Sequence, residues 1–334
     1  MRSGILAGGN WIIDRIKIVD AWPPQDALAN ILRESSGNGG APYNVLKDLA
    51  RLGASFPLSA VGLLGDDPAG REIVADCRAH GIDTGQLHVS PAAPTSHTEV
   101  MTEERTGRRT FFHRRGANAL LGPEYFDFSV TNAKIFHLGY LLLLDRMDAV
   151  APDGTTGTSQ VLRSAQAAGL STSLDCVSDN REDFLRVAAP SLPHVDFFFA
   201  NDFEAGRLTG IPLTGNAARD PSRLLEAAGR LLALGVRQWV FVHTPHGVLA
   251  ARDGESHWQP SVRVPPEEIR GAAGAGDALA AGILLGLHEE WPIGRCLTLG
   301  VSAAATSLFD PGCSGSVRKA DDCLRLAAEL GFEG

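Results

Sequence analysis

The sequence has 334 residues, of which 44% are hydrophobic, 21% charged and 7% aromatic. These proportions are typical of an enzyme that folds in water, and they exclude a fibrous or largely disordered chain. Acidic residues outnumber basic residues by 39 to 30, and the formal net charge is −9. The chain therefore has no overall positive field to attract nucleic acid or anionic lipid, and small-molecule partners are expected.

Two further features concern the cellular setting. The first ten residues lack the apolar stretch of about 7 to 15 residues that a signal peptide needs, and the longest apolar runs are far shorter than the roughly 20 residues that span a bilayer. The five cysteines are odd in number and include no C-x-x-C pair, which argues against a disulfide framework and a structural zinc site. We expect a cytoplasmic protein that is not integral to a membrane.

Two segments near the start of the chain have the character of strands outside a buried core. In 11–20, each face of a strand would carry both apolar and charged residues, so that neither face is plainly polar. In 95–117, two strand-like stretches surround a turn at 105–107. We expect exposed antiparallel strands in both segments, forming either a ribbon that covers a cleft or pairs with another subunit, or a simple edge hairpin.

Helices that end in glycine alternate with short apolar runs along most of the chain. The predicted helices are 44–52, 69–80, 159–168 and 221–234, followed by Gly53, Gly81, Gly169 and Gly235. The predicted buried strands are 56–61, 135–138, 170–174, 197–200 and 239–242. Three more helices are predicted at 276–290, 292–308 and 319–330. This alternation predicts an α/β fold with a doubly wound, mainly parallel sheet and helices on both faces.

The most informative segment is 271–286, in which a glycine-rich turn, G-A-A-G-A-G-D, runs directly into a helix. Amides at a helix start have no acceptor within the helix and lie in its positive dipole field, so those of Gly274, Ala275 and Gly276 could stabilise a transferring phosphoryl group. Asp277 could accept the proton of an attacking hydroxyl; the alternative is an ordinary helix-start acid. Neither G-x-x-x-x-G-K-[ST] nor a complete dinucleotide fingerprint occurs.

These residues resemble the signatures of the ribokinase-like (PfkB) carbohydrate kinases, and the resemblance covers nearly the whole chain. The segment 274–277 (GAGD) is similar to the family's anion-hole and catalytic-aspartate signature. The segment 39–44 (GGAPYN), continued at 51–53 and 61–70, is similar to its substrate-binding signature. The resemblance implies one kinase domain over residues 1–334, with lid strands at about 11–20 and 95–117, that transfers the γ-phosphoryl group of ATP to a hydroxyl of a sugar or sugar derivative.

The resemblance also implies binding residues, several of which have structural alternatives as turn glycines, surface acids, helix caps or solvated basic residues. The implied substrate-binding residues are Asp14, Gly39, Gly40, Asn44, His113, Arg115 and Asn118. The implied nucleotide-side residues are Asn201, Glu204, Thr244 and Gly247. Glu204 would help to arrange Mg²⁺, through water. In similar enzymes the lid strand closes over the substrate and often builds a homodimer; if two lid arginines faced the cleft, a phosphorylated or acidic sugar would become a plausible acceptor.

The chain departs from the family pattern at three places. The segment 271–273 reads G-A-A where the family commonly has D-T-T, which removes a carboxylate of the monovalent-cation site. Potassium activation is therefore in doubt, although carbonyl oxygens could still bind an ion. The nucleotide-side loop 243–247 is one residue short, and 175–177 reads D-C-V in place of D-P-N.

Other functions stay open at this point. A nucleoside kinase of the same fold would need an aromatic or apolar platform for a base, and a catalytically silent sugar-binding protein is suggested by the missing D-T-T. A dinucleotide-linked dehydrogenase is disfavoured by the incomplete glycine fingerprint. No residue identifies the acceptor, the hydroxyl that is phosphorylated, or whether the acceptor already carries a phosphate.

Overall fold

The computed structural model describes residues 2–333, except the side chain of Asn216, and within them the chain forms thirteen strands and ten α-helices. The strands are β1 (Ile5–Gly9), β2 (Ile12–Val19), β3 (Ile31–Gly39), β4 (Leu58–Gly65), β5 (Ile82–Ser90), β6 (Ser96–Glu103), β7 (Arg109–Arg114), β8 (Ile135–Leu141), β9 (Ser171–Cys176), β10 (Phe197–Asn201), β11 (Trp239–Thr244), β12 (Gly247–Arg252) and β13 (Glu255–Pro260). The helices are α1 (Ala41–Leu52), α2 (Pro68–Ala79), α3 (Asp145–Asp148), α4 (Gly157–Ala167), α5 (Phe184–Ala188), α6 (Asp202–Thr209), α7 (Pro221–Ala233), α8 (Ala275–His288), α9 (Ile293–Ser307) and α10 (Ala320–Leu330).

Nine strands form one large sheet in the order β13-β12-β11-β10-β9-β8-β1-β4-β5. All neighbours from β11 to β5 are parallel, and only β12 and β13 are antiparallel additions at one edge. The chain winds outward from β1 in both directions, so a topological switch point lies between β1 and β8. The predicted doubly wound, mainly parallel sheet is confirmed.

Helices cover both faces of this sheet. Successive side chains along a strand point to opposite faces, and each face has its own hydrophobic core. Ile5 and Ala7 of β1 belong to the core shared with α1, α8 and α9, whereas Leu6 between them belongs to the core shared with α4 and α7. Strands buried on both faces must be apolar at nearly every position, which is the pattern that the sequence showed. Among residues 2–333 no helix is both long and apolar enough to cross a membrane.

The predicted glycine ends of helices α1, α2, α4 and α7 are confirmed. Gly53, Gly81, Gly169 and Gly235 have φ values of 88°, 71°, 83° and 117° and lie within two residues of the last helical residue. Residues with a Cβ rarely adopt this left-handed region, so glycine ends these helices at low cost. The predicted C-terminal helices also correspond to α8, α9 and α10, with ends shifted by one or two residues.

The other four strands form a separate small sheet in the order β3-β2-β6-β7. The two predicted segments supply β2, β6 and β7, and the expected antiparallel pairing is confirmed for the β6–β7 hairpin, whereas β2 runs parallel to β6. The expectation that the first segment is exposed is wrong, because every residue of β2 except Arg15 is buried or half-buried. The antiparallel partner of β2 is β3, which the sequence prediction missed. Most of β3 is exposed, and its sequence, ILRESSGNG, has no apolar alternation to indicate a strand.

Glycine allows α8 and α9 to pack backbone against backbone. A Cβ at Gly282 would lie 2.8 Å from the Cα atom of Gly300, and a Cβ at Gly300 would lie 2.7 Å from the side chain of Ile283. A backbone atom cannot rotate away as a side chain can, so this separation requires glycine. The contact fixes the position of α8, whose first turn carries Asp277.

We expect Gly282→Ala to lower the free energy of unfolding by about 1–3 kcal/mol, because the added methyl group overpacks the α8–α9 contact. Gly229→Ala is the matched control, since a Cβ at Gly229 in α7 would meet nothing within 4 Å. Alanine is favoured over glycine inside a helix by up to about 1 kcal/mol, so this variant should be at least as stable as the wild type. Denaturant unfolding measures both; equal stability of the two variants would contradict the packing argument.

Candidate active site

Polar side chains from distant parts of the chain meet at the carboxyl ends of the parallel strands. Tyr140 and Asp175 lie near the ends of β8 and β9, and Asn201 is the last residue of β10. Asn44 of α1 and Asp277 of α8 reach the same edge, since Asp277 contacts Asn44 and Tyr140. In open α/β sheets this edge, beside the switch point, is where ligands bind.

Asp277 is held by two hydrogen bonds to one of its carboxyl oxygens. Its Oδ2 atom accepts from Asn44 Nδ2 at 2.7 Å and from the Tyr140 hydroxyl at 2.6 Å. Its Oδ1 atom is shielded from solvent and has no hydrogen-bond partner among the described residues. One oxygen thus fixes the orientation of the carboxyl group, and the other is free to accept a proton.

Burial raises the pKa of Asp277 to about 6, while the hydrogen bonds from Tyr140 and Asn44 lower it. The two donors favour the ionised carboxylate, which burial alone would make costly. A carboxylate with a pKa just below neutrality is mostly ionised at pH 7 and is a stronger base than an exposed aspartate. These are the properties that a general base at neutral pH needs.

The first turn of α8 presents free backbone amides next to this carboxylate. Gly274 precedes the helix with a φ of 75°, and a Cβ there would lie 2.7 Å from the carbonyl oxygen of Cys313. Within residues 2–333, the amides of Gly274, Gly276 and Asp277 have no backbone acceptor, whereas that of Ala275 makes a long bond of 3.4 Å to Ala272. Gly276 and Gly274 therefore match the predicted anion hole better than Ala275 does, and the Asp277 amide is a further donor.

A second hydrogen-bonded residue fixes the amide of Asn44. Asn38 Nδ2 donates to Asn44 Oδ1 at 2.7 Å and to the Ser314 hydroxyl at 2.9 Å, so Asn44 must turn its own NH₂ group toward Asp277. The sequence analysis missed Asn38 and Tyr140. Tyr140 could have been suspected as the first polar group after a buried apolar strand, but the sequence contains no signal that brings it to Asp277.

Asp14 and the predicted substrate glycines are neighbours. A Cβ at Gly39 would lie 2.5 Å from the Asp14 carboxyl group, and one at Gly40 would lie 2.1 Å from the carbonyl oxygen of Asn10. Gly40, with a φ of 85°, also precedes the first residue of α1. Both glycines are thus required by the local packing, and Gly39 makes room for Asp14. Burial raises the pKa of Asp14 to about 7.

The structure brings His113 to the same row of the small sheet as Asp14. Thr98 pairs with Asp14 on one side and with His113 on the other, and its hydroxyl lies 3.1 Å from His113 Nδ1. Burial lowers the pKa of His113 to about 4, so its imidazole is neutral at pH 7. The row Asp14, Thr98 and His113 offers a polar lining to a bound molecule.

Two other predicted substrate contacts are engaged elsewhere. Arg115 forms an ion pair with Asp145, with 2.7 Å between Arg115 Nη1 and Asp145 Oδ1. Asn118 is fully buried, and its amide bonds both the N–H and the carbonyl oxygen of Trp11, at 3.2 and 3.1 Å. Asn118 therefore holds the connection between β1 and β2 in place.

On the nucleotide side, Asn201 and Glu204 form a reciprocal cap at the start of α6. Asn201 Oδ1 accepts from the Glu204 amide and Glu204 Oε2 accepts from the Asn201 amide, both at 2.9 Å. This is the structural alternative that the sequence left open for this pair. Thr244 and Gly247 face each other across the tight β11–β12 turn, where a Cβ at Gly247 would lie 2.4 Å from the carbonyl oxygen of Gln259.

The acidic residues near this cap suit Mg²⁺ only with help from water and phosphate. Among residues 2–333 there is no group of three or more His, Cys, Asp and Glu side chains that could hold a metal ion. Burial raises the pKa of Glu204 to about 7, and the Asp202 carboxylate raises it further. Burial also raises the pKa of Asp175 well above its usual value, and the charge of Glu204 adds to this. A nearby divalent cation would relieve this repulsion, and Mg²⁺ keeps several waters and substrate phosphates as ligands.

Comparison with known proteins identifies the scaffold and the family. Arabidopsis thaliana ribokinase complexed with ribose and ATP has a structure that superposes with a TM-score of 0.77, at 21% identity, covering 98% of this chain and 99% of that one. The two therefore share the ribokinase-like α/β fold with a separate small sheet. A sequence model described as pfkB family carbohydrate kinase matches residues 4–320. The chain belongs to this family.

Relatives in this family act on different acceptors. The chain is 27% identical to an ATP-dependent ribose-1-phosphate kinase of Halopiger xanaduensis, over 88% of each protein. It is 26% identical to adenosine kinase 2 of Arabidopsis thaliana, over 87% of this chain and 84% of the relative. The predicted family, fold class and kinase activity are confirmed at the level of a sugar or nucleoside kinase, and the acceptor is not fixed by these relatives.

Tyr140→Phe should move the acid limb of the pH profile of kcat/KM toward higher pH, by about 0.5 to 1 pH unit. The Tyr140 hydroxyl stabilises the ionised form of Asp277, so its removal raises the pKa of Asp277 and activity is lost at a higher pH as the solution is acidified. Kinetics between pH 5 and 8 measure the limb. Tyr125→Phe is the control, and an unmoved limb in Tyr140→Phe would show that Asp277 does not set it.

Proposed function

We propose that the protein transfers the γ-phosphoryl group of ATP to a hydroxyl of a small sugar or sugar derivative, with Asp277 as the general base. The observation that carries the proposal is the free Oδ1 atom of Asp277, buried beside helix-start amides that have no acceptor in the described chain. A base and an anion-binding group at one point are what phosphoryl transfer to an alcohol requires.

In the proposed mechanism the acceptor hydroxyl lies against Asp277 Oδ1. The carboxylate takes the hydroxyl proton as the oxygen attacks the γ-phosphorus, and the bond to the β,γ-bridging oxygen of ATP breaks, releasing ADP. The amides of the first turn of α8, from Gly274 to Asp277, stabilise the charge on the transferring oxygens, and each such donor contributes roughly 10²-fold or more to the rate.

The other predicted residues have supporting roles. Asp14, Gly39, Gly40, Asn44 and His113 would orient the acceptor, and the small sheet would act as a lid that excludes water and so prevents hydrolysis of ATP. Bound Mg²⁺ would neutralise the ATP phosphates, held near Glu204 through water. One kinase domain over the whole chain and a homodimer through the small sheet stay predictions, and activation by potassium stays in doubt.

A nucleoside kinase is the second candidate. It is favoured by Phe111, whose side chain lies on the same face of β7 as His113 and is 58% exposed. An exposed aromatic ring beside the acceptor site could stack on a base. A catalytically silent protein is disfavoured by the carboxyl group of Asp277, which is oriented through Oδ2 and leaves Oδ1 without a partner among the described residues.

We expect Asp277→Asn to fold normally and bind its ligands, and to lose roughly 10²- to 10⁴-fold in kcat. The amide keeps the shape of the side chain but cannot accept the hydroxyl proton. The matched control is Asp253→Asn, in the exposed turn between β12 and β13. ADP release measured under saturating substrates tests this, and a kcat close to that of the wild type would refute the role of Asp277.

The proposed function itself is tested with Mg-ATP and a panel of acceptors containing ribose, deoxyribose, fructose, keto-deoxy acids, sugar phosphates and nucleosides. We expect ADP formation that depends on one class of sugar acceptor. A strict preference for nucleosides would select the second candidate. No acceptor-dependent ADP formation with any member would contradict the proposal.

A further inference from the structure

Arg109 stands apart from the other basic residues of the small sheet. Its neighbours are paired with carboxylates: Arg15 and Lys17 with Glu99, Arg33 with Glu104, and Arg115 with Asp145. Arg109 has no such ion pair within the described chain. Its Nη1 atom is shielded from solvent and has no hydrogen-bond acceptor among residues 2–333. Arg108 and Arg114 are likewise outside the ion pairs, but both are exposed to water.

A buried guanidinium N–H without an acceptor is costly, because its hydration is lost and nothing replaces it. Such a group in a native structure calls for an explanation. A ligand that binds the guanidinium group would provide one.

Strand alternation places Arg109, Phe111 and His113 on one face of β7. His113 is in register with Thr98, and Thr98 with Asp14, so this face is the one that carries Asp14. Burial lowers the pKa of Arg109, and Cys313 and Asp14 are near enough to its guanidinium group to favour the charged form. Cys313 Sγ itself lies 3.6 Å from Asp14 Oδ2.

The rest of the cleft is acidic. Asp48, Asp175, Glu204 and Asp277 are buried acidic residues of this region, and Asp14 is half-buried. Among residues 2–333, Arg109 forms no ion pair with any of them. Burial raises the pKa of Asp14 to about 7, so this carboxyl group carries less negative charge at neutral pH than an exposed aspartate would. A neutral sugar could offer the guanidinium group only hydroxyl oxygens and no counter-charge, whereas phosphate and carboxylate groups match both its charge and its planar N–H donors.

We infer that the acceptor is an anionic sugar derivative, a sugar phosphate or a sugar acid, whose anionic group binds Arg109 while its reacting hydroxyl lies at Asp277. This inference rests on the proposed kinase function and narrows its acceptor class. Sugar phosphates and sugar acids both carry an anionic oxygen group that could bind Arg109. The experiment below distinguishes the phosphate from the carboxylate.

The test compares three acceptors built on one sugar: the neutral form, its phosphate monoester and its aldonic acid. Each is assayed with Mg-ATP against the wild type, Arg109→Met and Arg109→Lys, with Arg108→Met as the exposed neighbouring control. We expect the wild type to prefer one anionic form, and Arg109→Met to lose roughly 10- to 100-fold in kcat/KM for it. Activity with the neutral sugar should change less than about threefold, and Arg109→Lys should be intermediate.

The anionic form that is preferred identifies the source of the oxyanion. If the wild type prefers the neutral sugar, or Arg109→Met lowers kcat/KM equally for all three acceptors, the inference is wrong while the kinase function stands. If no acceptor supports ADP formation, both are wrong. Thermal unfolding of each variant confirms that a loss of activity is not a loss of folding.

Discussion

The site depends on one buried carboxylate that two hydrogen bonds hold in place. Asp277 is 233 residues from Asn44 and 137 residues from Tyr140, yet both donate to the same oxygen. The interaction therefore exists only when α1, β8 and the start of α8 have all reached their places. The glycine contact between α8 and α9 and the switch point beside β1 serve this geometry, because they fix where α8 begins and where β8 ends.

Burial of the carboxyl groups makes Asp277 a suitable base, but it also gathers several acidic residues where phosphate must bind. It raises the pKa of Asp277 to a value suited to a base, but it raises those of Asp14, Asp175 and Glu204 as well. A cleft with so many carboxyl groups would repel phosphate. Two groups in the site have positive potential: the free amides at the start of α8 and the guanidinium group of Arg109. In the proposed reaction the amides face the transferring phosphoryl group, and Arg109 faces the anionic group of the acceptor.

Much of the scaffold could be predicted because its signals are local. Continuous apolar runs indicated five strands of the large sheet, β4 and β8 to β11, and terminal glycines marked the helix ends. The short central strand β1 and the strands β5, β12 and β13 were not predicted. β3 lacked such a signal, since most of it is exposed and its pairing with β2 is set by tertiary structure. The GAGD turn also indicated Asp277 by a local signal, a glycine-rich segment that runs directly into a helix. Its partners Tyr140 and Asn38, and the engagement of Asn118 with Trp11, depend on side-chain packing between distant segments, which one sequence does not display.

The most direct test of the account is a crystal structure of the protein with Mg²⁺, a non-hydrolysable ATP analogue and an acceptor that the enzyme has been shown to phosphorylate. The account predicts that one acceptor hydroxyl lies within hydrogen-bonding distance of Asp277 Oδ1, in line with the γ-phosphorus, and that the amides at the start of α8 face the γ-phosphate. A terminal phosphate bound away from α8, or an acceptor whose hydroxyls all lie beyond reach of Asp277, would contradict it.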